Sequence, residues 1–128
     1  MGIDPLSGMP GVGVMSRRLI AVDTFRVLLG PPSVTAEEVL EGSPSASAIA
    51  LAAIGDVEVG LWEMTPGAMR DVEAEEIFLV VDGRGKVEFD DGEVLDLEAG
   101  AVVHLRAGDR TTWTVYEPLR KLYLSRSA

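Results

Sequence analysis

The sequence predicts an all-β domain whose short strands close into a small barrel or a double-sheet jelly roll. From Ala46 onward, short apolar or alternating runs are separated by Gly, Asp-Gly and Pro-Gly at intervals of about ten residues, a pattern typical of antiparallel strands. The chain has 128 residues, 47% of them hydrophobic, which suffices for the core of one domain without disulfides. Many short strands without helical crossovers must hide their edges, and closure does this.

The first 45 residues have the least regular pattern. Residues 1–15 are rich in Gly, Pro and Met without periodicity, so we expect a disordered arm or tag remnant before a single domain over residues 16–128. The segment from Arg18 to Leu29 is predicted to add a strand to a sheet edge. Thr35 and Glu38 have capping-box spacing, which predicts one short helical turn that ends near Gly42.

The later strands are predicted from apolar runs and the turn residues between them. Ile77–Val81 is a continuous apolar run of strand length, so we expect both of its faces to be covered. Asp82-Gly83 is predicted to turn the chain, and Asp90-Asp91-Gly92 to form a tight hairpin. The other expected strands are Val57–Leu61, Lys86–Phe89, Val94–Leu97, Ala101–Leu105, Thr111–Tyr116 and Leu119–Leu124, within a total of eight to ten.

Charge and composition exclude several function classes. The net charge is −10, and the chain has no Cys and one His, His104. A negative surface repels phosphate backbones and anionic headgroups, so we expect neither nucleic-acid nor membrane binding. The lack of Cys excludes thiolate metal sites and Cys nucleophiles, and it favours a cytoplasmic location. A single His excludes a His-rich transition-metal site.

Several segments resemble the cupin superfamily. Glu76–Gly83, a Glu followed by six mainly apolar residues and a Gly, resembles the end of the first cupin motif, and Gly100–Gly108 resembles the opening of the second. The segments Val39–Pro44, Gly60–Gly67 and Thr112–Tyr123 are similar to the cupin subfamily that includes ureidoglycine aminohydrolase and ethanolamine-utilisation cupins. The likeness covers residues 35–124 and implies a single-domain cupin jelly roll, a double-stranded β-helix barrel.

The resemblance also implies where a metal would bind, since metal-binding cupins hold one divalent ion on three His and one Glu. The three His positions carry Thr111 and either Arg70 and Val72, in the family's shorter spacing, or Met69 and Asp71, in its longer spacing. Of the four metal-ligand positions, only the Glu position keeps the family's residue, Glu76. One carboxylate without imidazoles holds a transition metal weakly, so we expect no metal and no other cofactor, with a divalent metal as the disfavoured alternative.

A ligand pocket inside the barrel is expected to be lined by Arg70, Glu76, Phe78, Thr111 and Trp113. Strand alternation puts Glu76 on the face of Phe78, where a buried carboxylate needs a partner. Arg70 is the predicted partner, either in a structural ion pair or with donors left to hold a ligand carboxylate. Trp113 is expected to pack in the interior, with stacking on a planar or sugar-like ligand as the alternative.

Two further features are interpreted as lying outside this pocket. His104 is on the more polar face of its strand, so we expect it to be exposed or between sheets, with a ligand or general-base role as the alternative. The acidic residues Asp71, Glu73, Glu75 and Glu76 are interpreted as a solvated loop. Binding of a hard cation such as calcium is the alternative for that run.

These observations favour a metal-free cupin that binds a small polar or carboxylate-bearing metabolite in the barrel, as a sensor, carrier or accessory protein with no established catalytic activity. The alternative is an enzyme similar to ureidoglycine aminohydrolase or to an isomerase, with Glu76 and either Arg70 or His104 as acid and base. The loss of the three His positions favours the first hypothesis, because metal-dependent hydrolysis needs an ion to activate water. We also expect a homodimer, since this subfamily often dimerises and the segment before residue 30 can add to a sheet edge.

Overall fold

The structure is a computed structural model that describes residues 18–126. This part of the chain contains eight strands and no helix, which confirms the all-β class. The strands are β1 (Val39–Glu41), β2 (Ala46–Ile54), β3 (Val57–Met64), β4 (Gly67–Val72), β5 (Glu75–Phe89), β6 (Val94–Glu98), β7 (Val102–Leu105) and β8 (Arg110–Arg126). It follows that no helix in residues 18–126 is long and apolar enough to cross a membrane.

Two long strands, β5 and β8, organise the sheet. They pair antiparallel along most of their length, from Glu75 opposite Arg126 to Phe89 opposite Thr111. On its other edge, β8 pairs with β4 in its first half and with β3 in its second half. The other edge of β5 is divided in the same way between β7 and β6. With β1 beside β4 and β2 beside β3, the eight-stranded sheet has two halves, consistent with a β jelly roll.

The predicted turn at Asp82-Gly83 is wrong, because β5 continues through it with shifts in register. Gly83 has a φ of 91°, and a Cβ atom there would overlap the carbonyl group of Pro118 on β8. The two strands predicted for Thr111–Tyr116 and Leu119–Leu124 are likewise one strand that runs through Pro118. β5 and β8 stay paired across this close approach, so each strand serves both halves of the sheet. The predicted hairpin turn at Gly92 is confirmed, with a φ of 96°.

The core lies between the two halves of the sheet and follows the alternation of the strands. On β8 the first half buries Thr111, Trp113 and Val115, which are 3%, 1% and 3% exposed. On β5, Phe78 and Val80 are fully or nearly fully buried, whereas Ile77 and Leu79 are 45% and 36% exposed. The expectation that both faces of this apolar run are covered is therefore wrong. The buried apolar side chains of both strands belong to one cluster. Its members are Ala46, Met64, Met69, Phe78, Val80, Val87, Leu97, Val103, Leu105, Trp113, Val115, Leu119 and Tyr123. The interior is therefore filled by side chains.

The segment before β1 differs from its prediction. Arg18–Leu29 forms bends and a turn rather than a strand, because the backbone amide of Arg26 donates to the carbonyl of Asp23. The buried guanidinium of Arg120 holds this segment by donating to the carbonyl oxygens of Thr24 and Val27, at 2.8 and 3.1 Å. Residues 18–29 consequently cross the surface as a strap tied to β8.

The predicted helical turn is also absent, although the residues of the capping box do meet. The carboxylate of Glu38 accepts hydrogen bonds from the backbone amide and the hydroxyl of Thr35, at 3.1 and 2.7 Å. The amide of Glu38 in turn donates to the carbonyl of Thr35, which closes a single turn. β1 begins at the next residue, Val39, so pairing with β4 ends the turn before a helix can form.

Candidate functional site

An ion pair lies at the centre of the barrel. The ammonium group of Lys121, on β8, donates to a carboxylate oxygen of Glu76, on β5, at 2.6 Å. The side chain of Lys121 is 5% exposed and that of Glu76 is 14% exposed. Removing two charges from water is costly unless they are paired and hydrogen-bonded. Here each group satisfies the other, so the barrel has a polar but neutral centre.

Three aromatic rings surround the Lys121 ammonium. The nitrogen lies 4.5 Å from the ring centroids of Trp62 and Phe78 and 4.7 Å from that of Trp113. Distances below about 6 Å allow attraction between the cation and the negative faces of the rings. Trp113 also contacts Trp62 and Phe78 directly, with centroids 5.3 and 5.6 Å apart. We call Trp62, Phe78 and Trp113 the aromatic cage.

A second carboxylate is buried beside the cage. Glu73, in the link between β4 and β5, is 9% exposed. One of its oxygens accepts hydrogen bonds from the Thr111 hydroxyl at 2.6 Å and from the indole nitrogen of Trp113 at 2.9 Å. Thr111 is at the position where metal-binding cupins have the His of the second motif. In this chain its hydroxyl donates to the buried carboxylate of Glu73 instead of binding a metal. The bonds fix the orientation of Trp113 in the cage.

The structure decides between the two spacings of the first motif. Met69, of the longer spacing, is buried opposite Trp113, and Asp71 is half-buried opposite Thr111. Arg70 and Val72, of the shorter spacing, are exposed on the other face of β4. Burial, and next the charge of Glu73, raises the pKa of Asp71 to about 6. The inward positions are therefore those of the longer spacing.

The donor set does not fit the divalent ion of metal-binding cupins. Met69, Asp71 and Thr111 replace its three imidazoles, and the remaining ligand position, Glu76, is already bound to Lys121. Within residues 18–126, no group of three or more His, Cys, Asp or Glu side chains is arranged to hold a metal ion. A transition metal needs several converging donors. At the place beside Glu76 where a cupin metal would bind, this chain has the positively charged ammonium group of Lys121.

Arg70 is not the partner of Glu76, and this part of the prediction is wrong. The Arg70 side chain is exposed because β4 alternation turns it to the outer face. Glu76, Phe78 and Trp113 do meet inside the barrel around Lys121. The five main clefts of residues 18–126 are lined by residues other than Phe78 and Trp113. The expected pocket among these three residues is occupied by the protein's own lysine.

Arg70 and Thr111 instead border a cleft of about 420 Å³ beside β4 and β8, here called the β4–β8 cleft. Its other lining residues are Glu38, Leu40, Asp71, Val72, Asp90, Arg110 and Thr112. Its volume is within the usual range for small-molecule sites. In the described part of the chain, neither Arg70 nor Arg110 lies within ion-pair distance of a carboxylate. Two guanidinium groups thus face the cleft without an ionic partner.

The acidic run is not a single solvated loop, because its members point in different directions. Glu73 is buried and binds Thr111, Asp71 is half-buried, and Glu76 binds Lys121. Glu75 lies on the outer face and binds the Nε2 atom of His104, and this hydrogen bond holds the pKa of Glu75 below its usual value. His104 is exposed, as expected. The pair borders a separate cleft of about 410 Å³ with Val57, Ile77 and Leu124.

Sequence reasoning missed Lys121, the residue that completes the interior. Strand alternation indicates its position, because Lys121 shares one face of the last strand with the apolar residues Leu119 and Tyr123. A lysine at an inward position of an apolar strand predicts a buried carboxylate partner. The partner could not be identified from the sequence, because Glu76 lies 45 positions away and its proximity depends on the pairing of β5 with β8.

Comparisons with known proteins agree with this architecture. A family model described as an EutQ-like cupin domain matches residues 51–123. No curated protein matches the chain in sequence.

Solved structures share the fold at low sequence identity. EutQ of Clostridium difficile has a TM-score of 0.60 at 20% identity, over 67% of this chain and 65% of that protein. A DUF861 protein of unknown function from Pseudomonas syringae pv. tomato has a TM-score of 0.64 at 21% identity, over 77% of this chain and 44% of that one. A structure titled as DMSP lyases has a TM-score of 0.57 at 22% identity, over 65% of this chain and 48% of that one. This chain thus spans slightly less than two thirds of the Clostridium protein.

Proposed function

Because the chain belongs to the family of EutQ-like cupin domains, we propose that it is a metal-independent cupin that binds a small carboxylate-bearing metabolite without catalysing its conversion. The Lys121–Glu76 pair carries the metal-independent part of this proposal. A Glu that is bound to an ammonium group at 2.6 Å is not available as a metal ligand unless that pair breaks. Breaking it would leave a buried charge unpaired, at a cost of about 3–5 kcal/mol.

The β4–β8 cleft is the proposed ligand site. Its volume of about 420 Å³ suits a small metabolite, and Arg70 and Arg110 offer donors for a carboxylate. The interior of the barrel has less space for a ligand, because Phe78 and Trp113 are buried against Lys121. The ligand is therefore proposed to bind beside the barrel wall rather than within it.

Elemental analysis of the purified protein by plasma mass spectrometry tests the metal-independent part. We expect well below 0.1 equivalent of any transition metal, and no thermal stabilisation by Mn²⁺, Ni²⁺ or Zn²⁺, since few converging donors are available. About one equivalent with a matching stabilisation would contradict the proposal. Calorimetric titration with acetate, propionate and lactate tests the binding part, with Arg70→Ala expected to weaken any binding. Failure of all three acids to bind would contradict that part.

An enzyme is the second candidate, and the His104–Glu75 pair favours it. A carboxylate that binds one nitrogen of an imidazole orients the ring and leaves the other nitrogen for proton transfer. This pair borders a cleft of about 410 Å³ lined in part by Ile77 and Leu124. The acid–base pair of Glu76 and Arg70 is disfavoured, because the two side chains lie on opposite faces of the sheet. Turnover that is lost in His104→Gln but retained in Lys86→Gln would favour the enzyme.

We also propose a homodimer. On the outer face of the sheet, Ile77, Leu79, Val102 and Leu124 are 45%, 36%, 68% and 40% exposed and adjacent in register. The strap exposes Val22, Phe25 and Leu28 by 81%, 58% and 87%. Two copies related by a twofold axis would allow each strap to cover the apolar row of the other. Light scattering during size exclusion should give twice the chain mass, and a monomer would contradict this proposal.

A further inference from the structure

The charges around the β4–β8 cleft are of both signs. Arg70 and Arg110 are exposed and have no ion-pair partner within residues 18–126. Arg70 is paired in register with Thr112, and Arg110 with Val72. The two arginines are thus diagonal neighbours on adjacent strands, with Cα atoms about 7–8 Å apart. At that separation both guanidinium groups can reach one carboxylate.

Three acidic residues line the same cleft. Glu38 is held by Thr35, whose amide and hydroxyl both donate to one of its oxygens. Asp71 accepts the amide of Val72 at 2.8 Å and has its pKa raised to about 6 by burial and by the charge of Glu73. Asp90 has no side-chain hydrogen bond in the described residues and is exposed. Its carboxylate is the acceptor least engaged by the protein.

An anion alone is only a partial match for this cleft. The positive groups attract a carboxylate, but Glu38 and Asp90 repel it, and the whole chain carries a net charge of −10. A cation alone is opposed by the two arginines in the same way. A ligand with one charge of each sign suits both sets of groups, because its negative end can contact the arginines and its positive end can contact the carboxylates.

We infer that the β4–β8 cleft binds a small zwitterion, with its carboxylate on Arg70 and Arg110 and its ammonium group on Asp90. This inference rests on the proposed function, since it names the class of carboxylate-bearing ligand and the groups that recognise it. Thr112 is opposite Arg70 in register and two positions from Arg110 on β8, so its hydroxyl offers a further donor to the carboxylate. The ligand class is that of amino acids with a short carbon chain.

The test uses β-alanine, propionate and propylamine, which differ in the presence of the ammonium or the carboxylate group. Each is titrated into isotopically labelled full-length protein while amide chemical shifts are followed by NMR. We expect β-alanine to bind at least tenfold more tightly than either of the other two. The shifted amides should lie on β4 and the first half of β8. Glycine and 4-aminobutanoate vary the distance between the charges.

Variants separate the two ends of the ligand. Asp90→Asn should weaken β-alanine at least threefold and leave propionate no weaker than in the wild type, because the variant removes a charge that repels a carboxylate. Arg70→Ala with Arg110→Ala should weaken both ligands. Arg84→Ala is the matched control, since Arg84 is exposed, lies outside this cleft and has no ion pair within residues 18–126. All these residues are at the surface, so thermal unfolding is expected to stay within a few degrees of the wild type.

The outcomes distinguish this inference from the proposed function. Equal affinity for propionate and β-alanine, with no effect of Asp90→Asn, would overturn the zwitterion inference and leave the proposed carboxylate-binding function standing. Shifts confined to residues outside β4 and β8 would overturn the inference as well. No binding of any probe, together with one equivalent of bound metal, would overturn both proposals.

Discussion

The Nζ atom of Lys121 lies 2.6 Å from Oε2 of Glu76, between strands that are paired along the middle of the barrel. This distance gives a charge-assisted hydrogen bond in a site where both side chains are largely shielded from water. Glu76 is also the only position that keeps a metal ligand of the cupin pattern. The pair therefore links the stability of the barrel to its proposed independence of a metal.

Lys121→Met should destabilise the protein by about 3–5 kcal/mol, because the carboxylate of Glu76 loses the charged partner that it has within residues 18–126. The double variant Lys121→Met/Glu76→Gln should recover more than half of that loss, since a neutral amide costs less to bury than a carboxylate. Urea unfolding of the wild type, both single variants and the double variant measures the coupling. A double variant less stable than Lys121→Met would contradict a mainly electrostatic role for the pair.

A metal site should be obtained by placing His at the inward positions of the longer spacing. The variant Met69→His/Asp71→His/Thr111→His/Lys121→Met directs three imidazoles toward a free Glu76, and we expect about one equivalent of Zn²⁺ or Ni²⁺ to bind.

The shorter spacing supplies a matched control for this variant. Arg70→His and Val72→His, combined with the same changes at Thr111 and Lys121, place two imidazoles on the outer face, where Arg70 and Val72 are exposed. This variant should bind the ion at least a hundredfold more weakly, because its imidazoles cannot converge with Glu76. Equal affinity of the two variants, measured by competition with a chelating dye, would contradict the inward orientation of Met69 and Asp71.

Asp71 should make the protein less stable as the pH rises. Its pKa in the folded chain is raised from 3.8 to about 6, first by burial and then by Glu73. The folded state therefore favours the protonated carboxyl, and this contribution is complete below pH 4 and is lost as the pH rises through 6. Asp71→Asn keeps a neutral side chain at all pH values, so its stability relative to wild type should increase between pH 4.5 and 7.

Urea unfolding at those two pH values measures the effect, and Asp96→Asn controls for the change in net charge. Asp96 is exposed on β6 and lines none of the β4–β8 cleft. The relative stability of Asp96→Asn should stay nearly constant over this range. An equal pH dependence in both variants would show that overall charge, rather than the local environment of Asp71, is responsible.

Positions that follow from alternation within one strand were predictable from the sequence. Thr111, Trp113 and Val115 point inward as their spacing indicates, and the continuous apolar run of β5 is at the centre of the sheet. Trp113 was correctly assigned to the interior because its own neighbours determine its face. The same reasoning failed for Arg70, because a one-residue difference in motif spacing moves a side chain to the opposite face.

Contacts that depend on pairing between distant strands could not be derived in this way. Lys121 is opposite Val80 on one side and Trp62 on the other, and only that register brings its ammonium to Glu76 and the aromatic cage. The Asp82-Gly83 dipeptide predicts a turn, because glycine readily adopts the positive φ that several turn types require. In the structure a glycine is needed at position 83 because Pro118, 35 positions later in the chain, leaves no room for a side chain.

The strap depends on Arg120, which is 8% exposed and binds three groups that lie 57 to 96 positions before it in the sequence. Its guanidinium donates to Glu63 at 3.0 Å as well as to the carbonyls of Thr24 and Val27. Arg120→Met should release residues 18–29 while leaving the paired strands intact, since methionine fills the volume but donates no hydrogen bonds. We expect cleavage by thermolysin near Phe25 to become at least tenfold faster.

Arg26→Met is the control for that experiment, because the Arg26 side chain is 88% exposed and pairs only with nearby Asp23. Its cleavage rate should match that of the wild type. Far-ultraviolet circular dichroism of Arg120→Met should retain the β spectrum, which would place the added cleavage in the strap. Equal cleavage rates in Arg120→Met and Arg26→Met would mean that apolar contacts hold the strap without the guanidinium. Global loss of the β spectrum would instead assign Arg120 to the core of the fold.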